Sequence, residues 1–393
     1  MIKKRHIVFA VLITFVATII VYNSVVIKNL GWFLSDDPIT LAKHIITEEY
    51  VNELTDEQIQ KLEDVAIQAM VDELGDPYSL YMGESALESY KEDIEEEYVG
   101  VGMEVLYTAG SGAITVLSPY DGSPAQKAGL LPGDKVTEVD GIKVSDETYD
   151  KIIEHIRGKD AKEGTKLNFK VMREGKDDVL DLVITRERVD IQTVRYDKFD
   201  DVGYIRIAEF KNRTEEEFRA AIETLKDMDI SSLVIDLRNN PGGYAHTVIS
   251  MCDMLLPKGV IAYLEDNKGE REYFNSDSEE LGLPMAVLIN GGTASASELL
   301  AGSVQAHGLG IIVGEQSFGK AVGQSPYALS EDTALYLTNA RYFTPKGECI
   351  DGKGITPDVE VTLSDEKLAK LSLLSKDEDD QLLAAIETLT KNK

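Results

Sequence analysis

The sequence predicts a multidomain chain of mixed α/β (α+β) class, and three observations predict it. Between Asp36 and Met82 apolar residues recur near every 3.6 positions: Leu41, Ile45, Ile46, Tyr50 and Leu54, then Ile59, Leu62, Ala66 and Met70. From Tyr98 the pattern turns to short strands separated by glycine turns. After Val189 strands and helices alternate, and the chain closes on Asp377–Leu389, a helix striped with Leu382, Leu383, Ile386 and Leu389. With 393 residues there is room for two or three domains. We expect a cytoplasmic stub and membrane-spanning signal-anchor at 1–28, a helical segment at 29–95, a small domain at 96–188, an α/β core at 189–365 and a C-terminal helical segment at 366–393.

The first residues carry the topological signal. Met1–His6 is basic, and Ile7–Val26 is about twenty residues long, nearly all apolar and uncharged. That length spans a bilayer as a helix. The basic flank predicts a cytoplasmic N-terminus, with the rest of a single-pass cell-membrane protein extracytoplasmic. A secretory signal has a shorter apolar core and a small-x-small cleavage site; cleavage would leave the bulk of the chain in the same compartment. The net charge of −30 repels phosphates, so nucleic acid is not an expected partner. Cys252 and Cys349 are the two cysteines; they allow one pair and read as two free thiols. Neither HExxH nor CxxC occurs, and no metal or other cofactor is expected.

Gly75-Asp-Pro77 stops the second N-terminal helix. The acidic run Glu92–Glu97 reads as a solvated face or hinge. Val99–Val105 and Ala113–Leu117 alternate as strands. Ser123–Leu130 is a short capped helix ending in Gly129. Lys135–Val139 is a strand, Asp140-Gly141 a turn, Tyr149–Ile156 an amphipathic helix, and Leu167–Arg173 with Val179–Thr185 a hairpin. This order, with "SPAQKAGLLPGDKVTEVDG" inside it, resembles a PDZ domain. Such a domain adds a peptide C-terminus to a sheet edge and holds its carboxylate on backbone amides. The resemblance makes Gly100, Val101, Gly102 and Met103 the carboxylate-binding loop. It sets the groove between the next strand and the Tyr149–Ile156 helix, with Arg157 at the groove's end.

In the core, Val202–Ile207 and the apolar Ser232–Leu237 read as strands and Glu215–Met228 as a helix. "RNNPGG" is a glycine-bearing loop before the helix Ala245–Leu256. Met285–Asn290, Ala296–His307 and Ile311–Gly314 continue as strand, helix, strand. Tyr327–Leu329, Ala334–Asn339 and Arg341–Thr344 are strands.

Two chemistries compete for Lys320. Gly314–Lys320 fits the phosphate-loop spacing G-x-x-x-x-G-K. That motif needs Ser or Thr next and then a helix, whereas Ala321 and Val322-Gly-Gln-Ser-Pro326 follow. Alternatively Lys320 deprotonates a serine. Ser295 sits where an apolar strand turns into a helix, in the positive field of the helix N-terminus. Ser295-x-x-Glu298 is equally a capping box, which needs no chemistry. A serine needs a base, and no Asp-His-Ser order among the five histidines supplies one. A lysine serves when burial keeps it neutral; Val313, Phe318 and Val322 are candidates for that apolar surrounding. As a strand residue, Gln324 lies on Lys320's side and can orient the amine.

Gly291–Glu298, Gly314–Lys320 and Gln324, with "GDPYSLYM", "IDLRNNPGG" and "GKGITPD", resemble the carboxy-terminal processing (tail-specific) serine peptidases. The resemblance runs from about Asp36 onward and implies a PDZ domain inserted ahead of a Ser-Lys peptidase core. It makes Ser295 the nucleophile, Lys320 the base and Gln324 the orienting residue. Ser297 matches the second, not the first, serine of the motif. The oxyanion donors it implies are the amides of Ala296 and of Gly242 or Gly243. Implied partners are protein substrates with apolar C-terminal tails, the membrane through the N-terminal helix, and a second copy as a homodimer. The chain departs from the pattern at Ala321, at the longer link after Arg157 and at Cys349. A silent tail-binding scaffold would have lost Ser, Lys or Gln; a lipase would need a G-x-S-x-G elbow with histidine.

Overall fold

The computed structural model describes residues 37–95, 97–120, 122–157, 161–176, 178–277, 280–368 and 370–391. The apolar run Ile7–Val26 lies outside them. Among the described residues no helix is long and apolar enough to cross a membrane. The chain divides into two units: residues to Ser85 with Pro326–Leu337, and Ala86–Ser325 with Thr338–Lys393.

The first unit holds α1 (Pro38–Glu49), α2 (Asp56–Asp72) and β1 (Leu80–Met82). Asp37 caps α1 ahead of Pro38, accepting from the amides of Ile39 and Thr40 at 3.1 and 3.3 Å. Thr55 and Gln58 form a reciprocal capping box on α2. β1 pairs antiparallel with Ala334–Tyr336. The sequence periodicity in this unit is real, yet α1 buries no residue and α2 only Val71.

The helix α3 (Glu84–Glu95) straddles the Ser85–Ala86 boundary, so the acidic run begins as the last turn of a helix. The expected strand Val99–Val105 is two strands, β2 (Glu97–Gly100) and β3 (Met103–Tyr107), broken where Gly102 takes φ +72°. β4 (Ile114–Pro119), α4 (Pro124–Lys127), β5 (Lys135–Val139), β6 (Ile142–Lys143), α5 (Tyr149–Arg157), β7 (Lys166–Met172), β8 (Leu180–Thr185) and β9 (Glu187–Asp190) follow. The sheet order is β3-β4-β5-β7-β8, with β6 on β5. Leu167, Phe169 and Val171 alternate inward along β7 and meet Ile152 and Ile156 of α5. β2 pairs with β9, so this domain begins and ends side by side.

The core is a sheet ordered β10 (Val194–Phe199), β11 (Val202–Ile207), β12 (Ser232–Asp236), β15 (Met285–Ile289), β16 (Gly310–Gly314) and β19 (Val359–Glu360). All neighbours are parallel except β10. β12 and β15 are buried along their whole length, as a parallel sheet covered on both faces requires. Leu233, Ile235, Val287 and Ile289 face α6 (Thr214–Asp227), α7 (Ala245–Leu255) and α8 (Ala296–His307). Val234, Ala286 and Leu288 face Leu382, Ala385 and Leu389 of α10 (Asp380–Lys391), which follows the short α9 (Asp365–Leu368). The hairpin β13 (Gly259–Asp266) and β14 (Arg271–Ser276) was not anticipated. β17 (Val322–Ala328) runs into β18 (Ala334–Phe343), one strand where two were expected. Cys252 and Cys349 are free, as read.

Candidate active site

Parallel strands release their loops at one edge, and three of these loops meet here. The loop after β12 is pinned from below. Arg238, 2% exposed, is held between two carboxylates. Its Nε donates to Asp236 Oδ1 at 2.9 Å, and its two terminal nitrogens reach Asp379 Oδ1 and Oδ2 at 2.9 and 2.7 Å. Tyr204 also donates to Asp236, at 2.7 Å. Burial pushes the Asp236 carboxyl up, but the Arg238 guanidinium outweighs it and holds the group below the ordinary carboxylate range. Burial, and then the Asp236 charge, raise the Tyr204 phenol well above its usual value.

Asn240 carries that rigidity to the next loop. Its backbone carbonyl accepts from the Ala294 amide and the Ser297 hydroxyl, both at 3.0 Å. Its side-chain Oδ1 accepts from the Gly242 amide at 2.9 Å. Gly242 and Gly243 then turn at φ +107° and +139°. A Cβ on Gly243 would stand 2.0 Å from the Phe210 carbonyl oxygen, and one on Gly242 would stand 2.8 Å from Ser295 Cβ and 3.0 Å from the Ala296 nitrogen. The expected oxyanion loop therefore lies directly against the expected nucleophile. The Gly242 amide is donated to Asn240, which leaves the exposed Gly243 as the loop's outward-facing residue.

The loop after β15 brings up the serine. Thr293 donates to the Leu237 carbonyl at 2.8 Å. Ser295 is half-buried at φ +56° and ψ −117°, an unusual backbone for a residue with a side chain. It begins α8, and its amide donates to Glu298 at 2.9 Å. Ser297, which the sequence could not separate from Ser295 by residue type, is fully buried and bonded to Asn240.

The loop after β16 brings up the lysine. The Phe318 amide donates to the Thr293 carbonyl at 3.0 Å. The Gly319 and Lys320 amides donate to Glu298 at 2.7 and 2.8 Å. Strand β17 follows, not a helix, so this loop lacks the helix N-terminus of a phosphate loop. Two expectations about the lysine's setting need correction. Phe318 is 57% exposed and Val313 faces the α10 side of the sheet, so neither walls an apolar pocket around it. Lys320 also precedes β17, so strand phase does not relate it to Gln324. The Gln324 amide nitrogen lies 3.4 Å from both the Val322 carbonyl and Thr338 Oγ1. His155 bonds Asp140 and His307 the Val260 carbonyl, which commits both elsewhere.

The expected tail-binding loop edges a cavity of about 490 Å³ between β3 and α5, lined by Tyr98, Met103, Val105, Tyr149, Ile153 and Arg157. Val101 lines this cavity too and packs into the domain core. The Tyr98 ring folds over Gly100, where a Cβ would stand 2.3 Å from Cε2. Burial raises the Tyr98 phenol, against the opposing pull of Arg157 and of hydrogen bonds from the Gly102 and Met103 amides. Sequence reading missed Tyr98, whose ring packs against the loop expected to hold a carboxylate. Glu104 of β3 pairs with Arg195 of β10 at 3.0 Å, a direct link from groove strand to core sheet.

Residues 201–361 match peptidase family S41, 97–184 a PDZ domain, and 36–86 the activating protease CtpB N-terminal domain. The carboxy-terminal-processing protease of Bartonella bacilliformis is 38% identical over 310 residues, 77% of this chain and 70% of that one. The carboxy-terminal processing protease CtpB of Bacillus subtilis is 33% identical over 335 residues, 84% of this chain and 68% of that one. Among solved structures, the photosystem II D1 C-terminal processing protease superposes with a TM-score of 0.51 at 27% identity, covering 88% of this chain and 92% of its own.

Proposed function

This chain belongs to peptidase family S41, among the serine proteases that process C-termini and carry a PDZ domain, and from that premise we propose a Ser-Lys mechanism at the three-loop site. Ser295 Oγ attacks the scissile carbonyl and Lys320, as the neutral amine, takes its proton. The amides of Ala296 and Gly243 receive the oxyanion. The lysine returns the proton to the leaving amine, and water, activated by the same base, hydrolyses the acyl-enzyme. Gln324 orients the lysine. The observation that carries this reading is the shared carboxylate oxygen: the Ser295 and Lys320 amides both donate to Glu298 Oε2, which brings together two loops that the sequence separates.

The substrate is a protein whose apolar C-terminal tail adds to β3 and ends at Gly100–Met103, beside Arg157. Ile7–Val26 anchors the chain as a single membrane span, with the catalytic part extracytoplasmic. A second copy covers the apolar residues that α1 and α2 leave exposed, such as Ile39, Ile46 and Val65. The test is cleavage of an unfolded protein ending in apolar residues, followed by mass spectrometry, with Ser295→Ala and Lys320→Ala alongside. Loss in both variants supports the mechanism. Cleavage surviving Lys320→Ala names the wrong base, and tail binding without any wild-type cleavage points to a silent scaffold.

A further inference from the structure

Glu298 takes no part in the chemistry above, yet it is fully buried and accepts four hydrogen bonds. Its Oε1 receives the Ser317 hydroxyl at 2.5 Å and the Gly319 amide at 2.7 Å. Its Oε2 receives the Ser295 amide at 2.9 Å and the Lys320 amide at 2.8 Å. A helix cap needs only the bond to Ser295. This carboxylate also reaches the loop 22 residues onward.

We propose that Glu298 is a positioning residue for peptide hydrolysis, its Oε2 fixing the separation of nucleophile and base. The inference rests on the assignment of Ser295 and Lys320 to those roles. Two amides on one oxygen, at 2.9 and 2.8 Å, put their nitrogens no more than 5.7 Å apart, the sum of the two. Both side chains then spring from one frame. The same bond withdraws the Ser295 amide from the oxyanion, leaving that task to Ala296, the next residue of α8. Four donors converge on this group, so only an acceptor-only side chain satisfies them. Glutamine has the same shape but would turn two N–H hydrogens toward one pair of donors.

The experiment uses the full-length chain in detergent. It measures kcat and KM on a peptide with an apolar tail, the rate at which a fluorophosphonate labels the serine, tail binding and melting temperature. Glu298→Gln is compared with Ser303→Ala, which removes a buried 2.7 Å bond to Ile261 elsewhere on α8. We expect Glu298→Gln to lower both kcat and labelling on the order of 100-fold, the cost of about 1 Å of misplacement. KM and tail binding should stay within twofold. Ser303→Ala should lower the melting temperature and leave kcat within about twofold. Wild-type kcat in Glu298→Gln overturns the proposal, and so does an equal loss of kcat in Ser303→Ala at equal loss of stability. If Glu298→Gln does not fold, Glu298→Asp keeps the charge and withdraws the oxygens. A folded Glu298→Asp with unchanged kcat overturns the proposal, and one at least tenfold slower supports it. Ser295→Ala that still cleaves would overturn the underlying site assignment instead, so the two failures are distinguishable.

Discussion

Replacing Gly242 by alanine tests the geometry of the site where it is tightest. The added Cβ would stand 2.8 Å from Ser295 Cβ, 2.9 Å from the Ala294 oxygen and 3.0 Å from the Ala296 nitrogen. Carbon atoms settle about 3.5–4.0 Å apart, so the two Cβ atoms must part by about 0.7–1.2 Å. All three contacts lie in the turn that carries the proposed nucleophile, and Ser295 is already held at φ +56°. Gly242 itself sits at φ +107°, where a side chain adds strain of about 1–3 kcal/mol. Displacing a reacting atom by about 1 Å costs on the order of 100-fold in rate, or about 2.7 kcal/mol of barrier. We expect Gly242→Ala to lose that factor in kcat on a tail-bearing peptide and to bind the tail normally, since the groove lies in the PDZ domain. A variant with kcat within about threefold of wild type and an unchanged melting temperature would refute the placement of this loop against Ser295.

Four further outcomes follow from named contacts. Asp379→Asn strips a two-pronged carboxylate from the buried Arg238, and should cost about 3 kcal/mol in urea unfolding; a wild-type midpoint would contradict it. Ser297→Ala removes a buried bond to Asn240 and should lower stability by about 1–3 kcal/mol while cleavage persists, whereas loss of cleavage with the fold intact would reopen the choice of nucleophile. Tyr98→Phe removes the phenol that faces the Gly102 and Met103 amides, and calorimetry should show tail peptides binding about fivefold tighter, for one hydrogen bond of about 1 kcal/mol; unchanged affinity would show that the phenol does not compete. Asp236 titrates below its unfolded value, so its contribution to stability is complete above about pH 4 and is lost as pH falls through the lower folded value. Melting temperatures measured from pH 7 down to pH 3 should therefore fall less steeply in Asp236→Asn than in wild type, and parallel slopes would contradict the assignment.

What the sequence made legible was burial, and what it hid was polar contact over long separation. The continuous apolar runs of β12 and β15 announced a parallel sheet because both faces of each strand must be covered. The alternation in β7 announced a one-sided sheet for the same reason. Glu298 looked like a cap because its nearest partner is three residues away; the loop it also holds lies 19 to 22 residues on. Arg238 meets Asp379 across 141 residues, a pairing no local pattern encodes. Phe318 is apolar and solvent-facing, so residue type alone placed it wrongly. Motif position alone separated Ser295 from Ser297 in the sequence, and the physical difference between them is of this kind as well. Both are serines two positions apart at one helix start. What separates them is the path of the Asn240 loop, which claims the Ser297 hydroxyl and sets Gly242 against Ser295. The residues proposed for chemistry are therefore positioned by groups that take no part in it: Asp236, Arg238, Asn240 and Glu298. Conservative substitutions at those four should disturb the rate more than their distance from the substrate suggests.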